Sequence, residues 1–86
     1  MEDRIRLRLL TPDGVGWEGK VSAVTLPAAE GSLGVLGGHA PMLCALNSGL
    51  VKCRSAAGEL RFEISEGVAG VENDVVTLLL SSLRQL

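Results

Sequence analysis

Arg4-Ile5-Arg6-Leu7-Arg8-Leu9 alternates cationic and aliphatic side chains strictly. A period of two sends every second side chain to the same side. Ile5, Leu7 and Leu9 therefore share one face and the arginines the other, which is a β-strand with one buried face. The arginines read as a solvated sheet face; a basic docking stripe is the alternative reading. Thr11-Pro12-Asp13-Gly14 follows with turn chemistry, because Pro presets φ and Asp-Gly tolerates positive φ. The chain returns through Val15 to Val21, where Gly16 and Gly19 suggest a bulge or a close backbone approach. Val21 to Leu26 is rich in β-branched residues and reads as a third strand, which Pro27 stops.

Further along, the same grammar repeats. Ala28 to Gly38 is glycine-punctuated, with a short apolar patch at Leu33, Val35 and Leu36. Ala40 to Leu46 suits another short strand, Asn47-Ser48-Gly49 a turn, and Leu50 to Arg54 a strand. Ser55 to Glu59 reads as a hairpin loop. Leu60-Arg61-Phe62-Glu63-Ile64 alternates again, with Leu60, Phe62 and Ile64 inward. Glu66-Gly67 interrupts the pattern and Val68 to Val71 resumes it. Glu72-Asn73-Asp74 is a turn before Val75 to Leu80, a near-continuous apolar run of the kind expected of a strand buried on both faces. Turns every 8–12 residues or so are the mark of an all-β sandwich or barrel. Nothing before Ser81 carries a helical period, and Ser81 to Leu86 is too short for a helix that stands alone. The chain, residues 1–86, is long enough for one domain. Its core must be aliphatic, since Trp17 and Phe62 are the only aromatics.

The formal net charge is −2, from 8 basic and 10 acidic side chains. With neither sign dominant, general attraction to nucleic acid or anionic lipid is not expected. The scarcity of aromatics also removes the stacking platforms used by single-strand binders. Cys44 and Cys53 are separated by eight intervening residues and form no CxxC pair. With one histidine in the chain, no familiar zinc set can be assembled. The two cysteines read as reduced, half-buried thiols of a cytoplasmic protein, with a disulfide between neighbouring strands as the alternative. The N-terminus has no apolar signal core and no run approaches the length of a membrane span, so direct membrane insertion is not expected.

His39 lacks the setting of a catalytic residue. Ser32 and Cys44 are close in sequence, but no serine elbow or cysteine-protease signature surrounds them. Gly31-Ser32-Leu33-Gly34-Val35-Leu36-Gly37-Gly38 is not a phosphate loop. That motif needs Gly-Lys-Ser/Thr leading into a helix, and here His39-Ala40-Pro41 follows. Glu63 with Glu66, and Glu72 with Asp74, read as solvated acids. The residues thus favour a small binding module with neither cofactor nor metal.

Thr25-Leu26-Pro27, Glu30-Gly31, Gly34-Val35-Leu36 and Gly38-His39-Ala40-Pro41-Met42-Leu43 resemble, in that order, the ε subunit of bacterial and chloroplast rotary ATP synthases. That family typically reads Val-Thr-Leu-Pro-Gly, Glu-Gly, then Gly-Val-Leu-Pro-Gly-His-Ala-Pro-Leu-Leu. Thr11-Pro12-Asp13-Gly14 looks like its first turn, Trp17-Glu18-Gly19-Lys20-Val21 like its second strand, and Asn73 to Leu79 like its Asn-Lys-Val-Thr-Val-Leu end. Gly49-Leu50-Val51 is similar to its Pro-Gly-Val-Val strand. The resemblance implies an all-β, two-sheet sandwich of about ten short strands with no substantial helix. It implies a non-catalytic rotor subunit at the foot of the central stalk, bound to γ and resting on the polar loops of the c-ring. There it helps couple proton or sodium flow to ATP synthesis. By the same resemblance Glu30, Gly31 and Ser32 face the c-ring, and Thr11, His39, Met42, Leu43 and Cys44 lie on or near the γ contact. The location implied is peripheral, on the cytoplasmic face of a bacterial inner membrane or the stromal face of a thylakoid.

Several positions depart from that pattern. Gly37 replaces the usual Pro, so the loop is expected to be freer before assembly. Ser32 stands where many relatives carry a second acid. Glu66 replaces a frequent Gly, and Ala69-Gly70 replace bulkier residues. Many relatives continue into a C-terminal helical hairpin that can inhibit hydrolysis and in some binds ATP. This chain ends at Leu86, so neither property is expected of it, whether it is naturally short or trimmed. The competing reading is a stand-alone β-module that binds a peptide on a sheet edge or another ligand.

Overall fold

The computed structural model describes residues 2–86. The chain forms β1 (Ile5–Thr11), β2 (Gly14–Val21), β3 (Ala23–Ala28), β4 (Gly31–Leu36), β5 (Met42–Leu46), β6 (Gly49–Ser55), β7 (Gly58–Ile64), β8 (Gly67–Glu72), β9 (Val75–Leu80) and β10 (Leu83–Gln85). There is no helix among the described residues. The all-β expectation holds, and so do most boundaries, because turn chemistry sets them. Asn73 and Asp74 sit at φ 52° and 61°, the left-handed pair that a two-residue hairpin turn requires.

The strands join in the order β10-β7-β6-β3-β5-β8-β9-β1-β2, with β4 on β3. This single hydrogen-bonded path folds into two layers. One layer is β10-β7-β6-β3-β4 and the other β5-β8-β9-β1-β2. They meet where the end of β3 reaches β5 through the pair Ala28↔Leu46. The Ala29 N–H donates to the Ala45 carbonyl at 3.0 Å and the Asn47 N–H to the Pro27 carbonyl at 2.8 Å, reinforcing that seam. Pro27 can serve there because its carbonyl, not its missing N–H, is used.

Between the layers lies an aliphatic core. Ile5, Leu7 and Leu9 are buried as their period demands, together with Val21, Val24, Leu26, Val51, Phe62, Ile64, Val76 and Leu78. The Trp17 and Phe62 rings meet at 5.3 Å between centroids, tilted by 55°, a favourable edge-on geometry. The solvated face of β1 is not bare charge. Glu18 on β2 accepts from Arg6 at 3.0 Å and lies 3.8 Å from Arg8.

Gly16 is the bulge. Leu9 pairs with Trp17 and Leu10 with Val15, leaving Gly16 unmatched. A Cβ there would lie 2.4 Å from Leu83 Cδ2, so the glycine makes room for β10 to close over β2.

Four features differ from the sequence reading. Pro27 does not stop the third strand: Val21 ends β2, and β3 runs from Ala23 through Pro27 to Ala28, paired with Ser32 and Gly31 of β4. Gly31–Leu36 is a full strand, not merely a glycine-punctuated segment; pairing with β3 at six successive positions outweighs the poor strand propensity of Gly and Ser. Val75–Leu80 is buried on one face only. Val76, Leu78 and Leu80 face the core, whereas Leu79 is 54% exposed. An apolar run carries no phase, so it does not reveal that one side is open. Cys53 is fully buried rather than half-buried; Cys44 is half-buried, and both are free thiols.

Candidate functional site: an exposed apolar face and two flanking loops

Register places the candidate residues. The β3–β4 hairpin turns through Ala29 and Glu30, with Ala28 opposite Gly31 and Pro27 opposite Ser32. Glu30, Gly31 and Ser32 are all exposed, and Gly31 takes φ 130°, which favours glycine. The three therefore project together as one small, exposed acidic tip.

The loop from Gly37 to Pro41 lies at the other end of the molecule. Gly38 has φ 80°. The His39 N–H closes back on the Leu36 carbonyl at 3.2 Å, and its ring Nδ1 lies 2.7 Å from the Ala40 carbonyl, which can only accept. Nδ1 therefore carries the proton in this contact. Met42 and Cys44 turn inward and are half-buried against the core. Leu43, between them, points out and is 78% exposed.

Thr11 is not brought together with His39 and Met42. It ends β1 beside the β1–β2 turn, where its Oγ1 accepts the Asp13 N–H at 3.2 Å. Met42 is in register with Val71 and Val76, while the far end of the same sheet carries Leu46, Gly67 and Leu80. Leu10 pairs with Leu79, so Thr11 belongs to that far end, the end of the Glu30 turn.

Across the strands, one residue in from that far end, runs a row that the sequence reading missed. Ala45 pairs with Val68, Val68 with Leu79, Leu79 with Leu10, and Leu10 with Val15. These residues lie side by side on the outer face of β5-β8-β9-β1-β2. Val15 is 56%, Leu79 54% and Val68 41% exposed. Leu43 continues the patch in the adjacent row, leaning over Gly70, whose hypothetical Cβ would sit 3.8 Å from Leu43 Cδ1. Beside it lies a shallow depression lined by Pro41, Met42, Val71, Asn73 and Val75, among others. A contiguous apolar face on a small domain marks an interaction surface. It carries no sequence signal, because Leu79 within Leu78-Leu79-Leu80 has no phase until strand pairing gives it one.

No group of three or more His, Cys, Asp or Glu among the described residues is placed to hold a metal. Ser32 and His39 are separated by the length of β4, and no hydrogen bond joins the His39 ring to either Ser32 or Cys44 among the described residues.

A family model for the β-sandwich domain of the ATP synthase delta/epsilon chain matches residues 4–85. The chain belongs to this family. The ATP synthase epsilon chain of the chloroplast of Cyanidioschyzon merolae is 33% identical over 81 residues, covering 94% of this chain and 62% of the relative. The ATP synthase epsilon chain of a Cyanothece species is 38% identical over 81 residues, covering 94% of this chain and 59% of the relative. The chain thus spans about three fifths of the length of these relatives. A chain in the cryo-EM structure of the Euglena gracilis mitochondrial ATP synthase, a complex of OSCP, F1 and c-ring, superposes with a TM-score of 0.89 at 27% identity. That match covers 99% of this chain and 55% of the other. A chain from the central stalk and c-ring structure of the Tetrahymena thermophila enzyme shares the fold, with a TM-score of 0.77 at 20% identity, over 96% of this chain and 67% of that one. In this delta/epsilon sandwich, then, both candidate loops and the apolar row occur on a fold also found in ATP synthase assemblies.

Proposed function

We propose that this chain is the β-sandwich part of a non-catalytic rotor subunit of an ATP synthase, gripping γ with one face and the c-ring with one tip. In that role it helps couple proton or sodium flow to ATP synthesis, and it sits peripherally on the cytoplasmic or stromal side of the membrane. The observation that carries this reading is the outward row of exposed Val15, Leu79 and Val68 with half-buried Leu10 among them and exposed Leu43 beside it. A free sheet face of this kind costs solubility and is retained where a partner covers it. His39, Met42, Leu43 and Cys44 form the γ side at one end of that face, and Thr11 is the γ contact at its other end. Glu30, Gly31 and Ser32 form the c-ring side. A two-layer interlocked core suits torque transmission, because close packing resists deformation.

The test uses the purified complex of γ with this chain. Leu43→Asp replaces a side chain that is 78% exposed in the free chain, so folding is spared. Covering Leu43 is worth on the order of 1.5–3 kcal/mol, so Asp there should weaken γ binding by about tenfold or more. His39→Asp should weaken it as well, and Ser32→Cys should crosslink to c-ring loops in the assembled enzyme. Undiminished affinity in both Asp variants, with intact folding, would overturn the γ assignment.

A further inference from the structure

The loop between β4 and β5 opens with two glycines, Gly37 and Gly38, and such a pair imposes little conformational preference of its own. The loop is instead held from across the molecule. The Gly38 N–H donates to Asp74 Oδ1 at 2.7 Å, over a sequence separation of 36. The other carboxylate oxygen of Asp74 lies 3.8 Å from Arg4 Nη2. Asp74 itself is the second residue of the β8–β9 turn at φ 61°, and its carbonyl accepts the Arg6 N–H at 2.9 Å. One residue therefore ties the loop, the β8–β9 turn and the start of β1 together. The bond to the loop is charge-assisted and short, which places it among the stronger kinds of hydrogen bond.

We infer that Asp74 is a positioning residue for the γ-side loop. Its carboxylate fixes the glycine pair before any partner arrives, so that His39, Pro41 and Leu43 are presented in one arrangement. This rests on the reading of His39 to Cys44 as the γ contact. A loop ordered in advance loses less freedom on binding, and the saving appears as affinity. Asp74 holds the loop through the Gly38 amide, so its effect on a partner is argued through the loop.

Two variants separate the acceptor from the turn. Asp74→Gly keeps the left-handed turn unstrained and removes the carboxylate, whereas Asp74→Asn keeps both the turn and an acceptor oxygen. Gly37→Pro restores stiffness by another route. Leu36 before it is in strand conformation, which suits a residue preceding Pro. Among the described residues the Gly37 N–H makes none of the loop's hydrogen bonds, and a Cβ there would meet Arg4 side-chain atoms at an ordinary 3.7 Å.

Hydrogen exchange on the isolated chain and γ affinity are read in parallel. Asp74→Gly should speed exchange at the Gly38 amide by about tenfold or more, and weaken γ binding about five- to tenfold. Asp74→Asn should stay near the parent in both, and Gly37→Pro should recover the lost affinity in the Asp74→Gly background. Unchanged exchange at Gly38 in Asp74→Gly overturns the inference. So does faster exchange with undiminished affinity, or a loss of affinity that Gly37→Pro leaves untouched. If the parent chain binds no γ at all, the proposed function fails, and exchange at Gly38 alone still decides whether Asp74 holds the loop.

Discussion

Gly67 and Gly16 look alike in sequence, each breaking a strand pattern, yet alanine should be far more costly at Gly67. A Cβ on Gly67 would lie 2.1 Å from the Leu79 carbonyl oxygen and 3.0 Å from Leu80 Cδ2. The first obstacle is backbone, so β8 and β9 must separate by about 1 Å to reach ordinary contact. That separation loosens the pairs Gly67↔Leu80 and Val68↔Leu79 and lifts Leu80, which is 5% exposed, away from the core. Partial loss of Leu80 burial, at about 1.5–3 kcal/mol for full burial, and of one or two ladder bonds at about 1 kcal/mol each gives a cost near 3 kcal/mol. The stiffer unfolded chain returns about 0.5–1 kcal/mol. A net loss of roughly 2–3 kcal/mol corresponds to a fall in Tm of about 10–20 °C for a domain of this size. At Gly16 the clash is 2.4 Å to Leu83 Cδ2, the far end of a half-buried side chain that can rotate aside. Gly16→Ala should cost about 1 kcal/mol or less, and less still once Leu83→Ala has vacated the space and left the Leu9 carbonyl at 3.3 Å. Urea titrations of the four variants measure this directly. Equal costs at the two glycines, or a Gly67→Ala variant within about 0.5 kcal/mol of the parent, would refute the reasoning that backbone against backbone is what makes Gly67 necessary.

Phe62→Ala should destabilise by about 3–5 kcal/mol, since the ring is fully buried and is the aromatic partner of Trp17; Trp17 fluorescence should report the altered packing at equilibrium. Burial, and secondarily the charge of Glu59, pushes the Cys53 thiol from 9.0 up to about 11. The native state therefore keeps a proton that the unfolded chain releases between those values, so this contribution to stability is complete below pH 9 and lost as pH rises through 11. Denaturation curves from pH 8 to 11 should show that decline in the parent and a shallower one in Cys53→Ala. A thiol reagent at neutral pH should label Cys44 well before Cys53, as their exposures differ. Glu18→Gln should cost at most about 1 kcal/mol, less at high salt, because its pairs with Arg6 and Arg8 are exposed.

The alternation at Arg4–Leu9 and Leu60–Ile64 was enough to choose the buried face of β1 and β7, because period two is a local property of the chain. Turn chemistry at Pro12-Asp13-Gly14 and Asn73-Asp74 likewise set where strands end. The loops Glu30–Ser32 and His39–Cys44 were found from motif resemblance, and their exposure follows from being turns. The apolar row was not legible. Leu79 looks like its neighbours Leu78 and Leu80, and Val15 like any strand valine, until strand pairing gives each a phase.

The sequence by itself therefore determined the class of fold, the inward residues of the alternating strands and the turns between them, all of which depend on neighbours within a few positions. Tertiary structure alone decided that Gly31–Leu36 is a strand, that β9 has an open side, that Gly16 is the bulge under Leu83, and that Asp74 holds the loop at Gly38. Each of these depends on residues far apart in the chain. Their cost or gain exists only once the layers have closed and the register is set.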